Sequence, residues 1–292
     1  MVPPANPWLD RRVLAYAHQG GAREAPSSTL WAMEQALAAG ADALELDVHA
    51  TLDGHLVVCH DPTLDRTTDG TGPIAAHRLD ELARLDAAHH FVPGEGACPG
   101  RPASAYPFRG RALDDDRFGV PTLESVLRRF PGVLLNLDLK QRPPKVPAYE
   151  HHLVDLLRAH GRTHDVIVAS FDERSTAVVA SLAPEIPLSP GRRGAVAFAV
   201  ALRLRRPVPS RLRRYAALQL PVRVAGRPFL TPRLVEAAHA AGLAVHAWTV
   251  DEPGEIRRLV GLGVDGVMSD RPGVLAGVLA EVGASWRSGS AA

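Results

Sequence analysis

Apolar residues along this chain recur in short runs separated by longer stretches of mixed polarity. Residues 13–17, 43–49, 55–60, 133–139, 166–170, 244–250 and 264–268 are rich in Val, Leu, Ile and Ala and read as strands. Between them, residues 28–39, 122–130, 149–160, 231–241 and 253–262 have the length and amphipathic spacing of crossover helices. Gly40, Gly161, Gly242 and Gly263 fall just past helix ends, where a left-handed residue costs glycine least, and Ser28 and Thr231 are placed to cap the helices that follow. Strands that are apolar throughout and alternate with helices predict an α/β protein whose parallel sheet is covered by helices. Two weaker runs, 186–189 and 216–220, raise the strand candidates to nine, and one of these two is expected to be a loop.

Residues 87–120 break the alternation with a stretch rich in glycine and proline. An irregular segment of this length inside a compact domain is usually functional or disordered; if ordered, it is expected to cap the mouth of the site. The expected organisation is an N-terminal extension over 1–12, a single domain over 13–284 that carries the insertion, and a flexible tail over 285–292.

Composition narrows the function classes. With 46% hydrophobic and 22% charged residues, the 292-residue chain is of ordinary globular type. A net charge of +1 supplies no overall field that would recruit nucleic acid. The charge is uneven, however: residues 186–235 hold eleven arginines and no Asp or Glu. Such a segment could contact an anionic lipid surface peripherally, although solvated arginines on a helix give the same pattern. No apolar run approaches the ~18–20 residues of a transmembrane helix, and the first residues lack the apolar stretch of a secretory signal, so a cytoplasmic location is expected. Cys59 and Cys98 are expected to be reduced thiols.

The polar residues that look out of place lie at the C-terminal ends of candidate strands: His18, Glu45 with Asp47, His60 with Asp61, and Asp138 with Lys140. In a parallel barrel those ends share one face, where active sites of that architecture are built. Glu45 and Asp47 project to the same side of an extended strand. Two close carboxylates repel each other, and a bound divalent cation keeps both ionised. Asp138 would add a third oxygen, giving a set suited to Mg2+ or Ca2+ and poorly suited to zinc. His18 and His60, from different strand ends, could stand on opposite sides of a substrate held by the cation, one taking a proton from the attacking oxygen and the other giving one to the leaving alkoxide. Lys140 is one of only two lysines. It is placed either to hold a phosphoryl oxygen as a point charge or to pair with the neighbouring carboxylates. His49 and Asp61 are candidates for a supporting role. No Gly-x-Gly-x-x-Gly follows the first strand, which disfavours dinucleotide binding.

These residues stand in a recognisable order. Ala17-His18-Gln19-Gly20-Gly21, Glu24-Ala25-Pro26-Ser27-Ser28-Thr29-Leu30, Ala43-Leu44-Glu45-Leu46-Asp47-Val48-His49 and His60-Asp61-Pro62-Thr63-Leu64-Asp65 are followed by Asn136-Leu137-Asp138-Leu139-Lys140, Ser170-Phe171-Asp172, Trp248-Thr249-Val250-Asp251 and Ser269-Asp270-Arg271-Pro272. Over residues 13–275 the string resembles the glycerophosphodiester phosphodiesterases. The resemblance implies a (β/α)8 TIM barrel with one irregular insertion. It implies one divalent cation, Mg2+ or Ca2+, held by Glu45, Asp47 and Asp138, with acid–base catalysis by His18 and His60. Gln19, Lys140, Phe171 and Trp248 would contact substrate. The implied reaction converts a glycerophosphodiester to an alcohol and glycerol 3-phosphate. The alternatives are a lysophospholipase D-like hydrolase of lipid phosphodiesters and a barrel that binds phosphodiesters without cleaving them. Three positions depart from the family: Gln19 and Ser27 stand where arginine and glutamate are usual, and Asp138 where glutamate is usual. Gln19 lacks the bidentate charge of a guanidinium, and the shorter Asp138 leaves the choice of metal open.

Overall fold

The computed structural model of the chain describes residues 6–9, 12–141, 146 and 148–286, so most of the expected extension 1–12 and tail 285–292 lies outside the described residues. The main sheet holds β1 (Leu14–His18), β2 (Ala43–Ala50), β3 (Leu56–Val58), β4 (Leu134–Leu139), β5 (Val166–Ala169), β6 (Ala217–Pro221), β7 (Ala244–Trp248) and β8 (Gly266–Ser269). Seven of these strands are parallel, in the order β5-β4-β2-β1-β8-β7-β6, and β3 pairs antiparallel with β2 outside that path. Residues 187–189 fill the gap between the two ends. The amide of Val168 donates to Pro187 O, Ser189 N donates to Val168 O, and Ala216 N donates to Leu188 O, so backbone hydrogen bonds complete the ring of a (β/α)8 barrel.

The helices α1 (Leu30–Ala38), α2 (Leu123–Arg129), α3 (Glu150–Ala159), α4 (Glu173–Leu182), α5 (Arg192–Arg203), α6 (Pro232–Ala240), α7 (Pro253–Leu262) and α8 (Pro272–Glu281) surround the ring. Alternation along the strands divides the apolar residues. Leu44, Leu46 and Val48 of β2, with Leu135, Leu137 and Leu139 of β4, belong to the cluster that packs on the helices. Leu14, Tyr16, Ala43, Ile167, Ala217, Ala244 and Met268 form a separate cluster with Trp8, filling the N-terminal end of the barrel interior. The inward positions therefore change from apolar at one end to ionisable at the other. Among the described residues no helix is long and apolar enough to cross a membrane.

The surplus strand candidate is explained by β3, which lies beside the barrel. Of the two weak runs, 216–220 is a full strand, whereas 186–189 is reduced to a single bridging residue that nonetheless closes the ring. Two expectations need correction. Thr29, not Ser28, caps α1, its hydroxyl accepting from Ala32 N, because Ser28 adopts a left-handed φ of 62° in the preceding turn. The segment 87–120 is ordered around stacked Phe108, Phe118 and Trp31, but it does not cap the mouth. It leans on α1 through Arg117 and Glu34 and on the loop after β1 through Gly94 N and Arg23 O, and none of its residues lines the cleft described next.

Candidate active site

A cleft of about 1250 Å³ opens at the C-terminal ends of the strands. It is lined by His18, Glu45, His60, Asp138, Lys140, Phe171 and Trp248, seven of the nine residues expected from the sequence. The other two, Asp47 and Gln19, lie beneath its surface. Parallel pairing sets His18 in register with Glu45, and Asp138 with Asp47 two residues further along β2, so three neighbouring strands present polar residues at their C-terminal ends.

The two imidazoles stand edge to face, at 72°, with ring centroids 6.3 Å apart. Each is fixed through Nδ1 by an aspartate, which turns Nε2 toward the cleft. His18 Nδ1 lies 2.6 Å from Asp270 Oδ1, and His60 Nδ1 lies 2.7 Å from Asp61 Oδ1. Asp61 is itself gripped by Arg66, whose Nε and Nη2 donate at 2.6 and 3.0 Å. Burial alone would raise the Asp61 carboxyl, but its bonds to His60 and Arg66 outweigh burial and hold it far below the usual range. For His18, burial opposes protonation but is outweighed by Glu45, Asp270 and Asp47, and its pKa is pushed up to about 9. His49 is fully buried, with Nε2 3.3 Å from the His60 carbonyl, and supports the loop that carries His60.

Burial raises the carboxyls of both Glu45 and Asp47, and their mutual repulsion adds to the effect on Asp47, which reaches about 7. Lys140 opposes the shift: its Nζ lies 2.8 Å from Asp47 Oδ1 and 2.7 Å from Asp138 Oδ2. Burial alone would lower the Lys140 pKa, yet these two carboxylates hold it well above the usual lysine value. Lys140 thus occupies the space between two of the three carboxylates, and among the described residues no three acidic, histidine or cysteine side chains stand gathered at ligating separation. The set still fits a divalent cation chemically. Asp47 and Asp138 converge on Lys140 with Glu45 two residues before Asp47 on the same strand, and among the described residues the buried Asp47 Oδ2 has no hydrogen-bond partner.

Two pairings in the site join residues of motifs that lie far apart in the sequence. Asp270 follows β8 at a strand end, the same position that marked the other polar residues, but its partner His18 is 252 residues away and only ring closure brings them together. On the floor of the cleft, Gln219 Nε2 donates to Asn136 Oδ1 at 2.5 Å. Phe171 and Trp248 meet edge to face at 6.0 Å, with Lys140 Nζ 5.6 Å above the Phe171 ring.

The family model described as "Glycerophosphoryl diester phosphodiesterase family" matches residues 18–274. The glycerophosphodiester phosphodiesterase of Caldanaerobacter subterraneus subsp. tengcongensis is 29% identical over 269 residues, covering 90% of this chain and 96% of that protein. That of Bacillus subtilis is 32% identical over 271 residues, covering 89% and 84%. A phosphodiesterase structure from Oleispira antarctica, in complex with the product sn-glycerol-3-phosphate, superposes with a TM-score of 0.69 at 25% identity, covering 92% of this chain and 97% of that one. The match takes in both histidines and all three carboxylates of the cleft, and on these grounds the chain belongs to the glycerophosphoryl diester phosphodiesterase family and is a phosphoric diester hydrolase.

Proposed function

We propose that the protein hydrolyses glycerophosphodiesters to an alcohol and glycerol 3-phosphate, with His18 and His60 as the acid–base pair and a divalent cation, Mg2+ or Ca2+, held by Glu45, Asp47 and Asp138. The observation that carries this reading is the pair of imidazoles set edge to face, 6.3 Å apart by ring centroid, at the rim of a carboxylate cluster. Each has Nδ1 occupied by an aspartate, and His18 Nε2 stands 3.5 Å from Gln19 Nε2 and 3.7 Å from Glu45 Oε2. In-line displacement at phosphorus needs a proton removed on one side and supplied on the other, and two opposed imidazoles meet both needs. When bound, the cation neutralises charge on the phosphoryl oxygens and keeps the neighbouring carboxylates ionised. Lys140 supplies further positive charge beside the same carboxylates, and Phe171 and Trp248 form an apolar wall against the ester's carbon atoms.

Replacing either histidine by alanine is expected to lower kcat by on the order of 10²–10⁴, read as release of glycerol 3-phosphate from a glycerophosphodiester. Full activity in His18→Ala or His60→Ala would remove that residue from the mechanism. Phosphorus NMR during turnover distinguishes the attacking group, since attack by a neighbouring substrate hydroxyl passes through a cyclic phosphate whereas direct attack by water does not.

A further inference from the structure

The two histidines are held by different means. His60 and Asp61 are neighbours in the chain and Arg66 follows five residues after Asp61, so one short loop sets that pair. His18 and Asp270 lie 252 residues apart, and their 2.6 Å contact exists only while the loop after β8 is fixed against the loop after β1. Asp251, just beyond β7, grips the loop after β8: its Oδ1 accepts from Ser269 Oγ and from Asp270 N, each at 2.9 Å. Ser269 Oγ in turn accepts from Arg271 N at 3.0 Å. Hydrogen bonds to a carboxylate are stronger than neutral ones, so one charged group fixes the turn that carries Asp270. Arg23 joins this turn to the loop of His18. Its amide donates to Asp270 O at 3.0 Å, and its Nη1 lies 3.5 Å from Asp251 Oδ2. The insertion meets the same residue. Its short hairpin, Phe91–Val92 with Gly96–Ala97, presents Gly94 N to Arg23 O at 2.8 Å. Gly96 has a left-handed φ of 92°, and a Cβ there would come within 3.0 Å of Ala22 O, so the hairpin lies against the loop after β1 at a distance that only glycine permits.

We propose that Asp251 and Arg23 are positioning residues for His18, acting through Asp270, and that the hairpin of the insertion secures Arg23 in that role. The bearing on catalysis rests on the acid–base reading of His18 above. Neither Asp251 nor Arg23 lines the cleft, so each acts through the geometry it imposes and not by touching the reacting atoms. That geometry matters because displacing a reacting group by about 1 Å costs on the order of a hundredfold in rate. His60 needs no such support, since its partner is the next residue in the chain.

The test pairs kinetics with the proton NMR spectrum of the imidazole N–H groups in the full chain. His18 and His60 each set Nδ1 against an aspartate, and their two downfield resonances are assigned by loss in His18→Ala and His60→Ala. Asp251→Ala is expected to lower kcat for glycerophosphocholine on the order of tenfold to a hundredfold with KM little changed, and to shift or broaden the His18 resonance while that of His60 stays in place. In Asp251→Asn the amide oxygen still accepts from Ser269 and Asp270, so the resonance and most of kcat are expected to return. Arg23→Met and Gly96→Ala should move the same resonance in the same direction by a smaller amount. An unchanged His18 resonance in Asp251→Ala overturns the positioning role. Loss of both resonances together overturns it as well, since Asp251 would then hold the barrel and not His18 in particular. No movement in Arg23→Met and Gly96→Ala overturns the part given to the insertion, and a displaced resonance with wild-type kcat overturns the bearing on catalysis. Resonances that respond as expected in a protein that cleaves no glycerophosphodiester leave the positioning role standing and overturn the acid–base reading.

Discussion

His18 and His60 are both held by carboxylates, but the two holds differ. Asp61 divides its charge between His60 and the bidentate Arg66, whereas Asp270 stands 2.6 Å from His18 and among the described residues pairs with no arginine. His18 therefore depends on Asp270 for its orientation and shares with Glu45 and Asp47 the stabilisation of its charge, and Asp270→Asn keeps the shape while removing one of these charges. The expected result is a kcat lowered at least tenfold with KM and melting temperature little changed, read by initial rates and a thermal scan. An unchanged kcat would make Asp270 a merely structural neighbour. Single residues were the most legible level of this sequence, because ionisable side chains at the ends of apolar runs stand out against the strand pattern. Asp270 shares that signature. What the linear chain does not express is its pairing, which depends on β8 lying beside β1. The ion pairs of Lys140 with Asp47 and Asp138 were legible only as one of two options, since the in-register pairing of β2 with β4 sets those distances.

Among elements, amphipathic periodicity located α1, α2, α3, α6 and α7 to within a few residues and passed over α4, α5 and α8. The sequence of α5, Arg-Arg-Gly-Ala-Val-Ala-Phe-Ala-Val-Ala-Leu-Arg, is apolar nearly all round, so it offers no single stripe to detect. Basic composition, legible from the start, places all eleven arginines of 186–235 on the exposed surface. Local capping matters energetically at α1, where the Thr29 hydroxyl accepts from Ala32 N. Thr29→Ala should cost about 1 kcal/mol in chemical denaturation. A larger effect is expected between α3 and β5. The buried Arg162 guanidinium donates to the carbonyls of Phe130 and Val133 and to Asp165 Oδ2, tying the end of α2 to the starts of β4 and β5. Arg162→Met leaves those acceptors without a partner and should cost about 2–3 kcal/mol, measured by the same denaturant titration. A loss below that of Thr29→Ala would show that water replaces the guanidinium.

At the scale of the whole molecule, the barrel separates stability from chemistry along its axis. The N-terminal end is closed by Trp8, Tyr16 and His246, with His246 5.1 Å from Tyr16 and 6.5 Å from Trp8 by ring centroid. Gly266 makes this packing fit, since a Cβ there would come within 2.8 Å of the His246 ring. Among the described residues neither His246 nitrogen has a hydrogen-bond partner, and burial lowers its pKa to about 3. The folded protein thus refuses a proton that the unfolded chain accepts near the ordinary value of 6.5. This contribution to stability is intact above pH 6.5 and is lost as the pH falls toward 3, at a limiting slope of about 1.4 kcal/mol per pH unit. Urea titrations between pH 6.5 and 4 should show that slope reduced by one proton in His246→Leu, and an identical slope would place the acid sensitivity elsewhere. The parallel α/β class was legible from the alternation of apolar runs and helices. Closure of the ring was not, because its last contact depends on the single bridging residue Leu188, too short a segment for any periodicity to reveal. The most direct test of the account as a whole is release of glycerol 3-phosphate from a panel of glycerophosphodiesters by the purified protein, with EDTA, Mg2+ and Ca2+ arms and a His60→Ala control. Turnover should be abolished by EDTA, restored by one of the two cations and lost in the variant; turnover indifferent to chelation, or undiminished in His60→Ala, would contradict metal-dependent catalysis by the histidine pair.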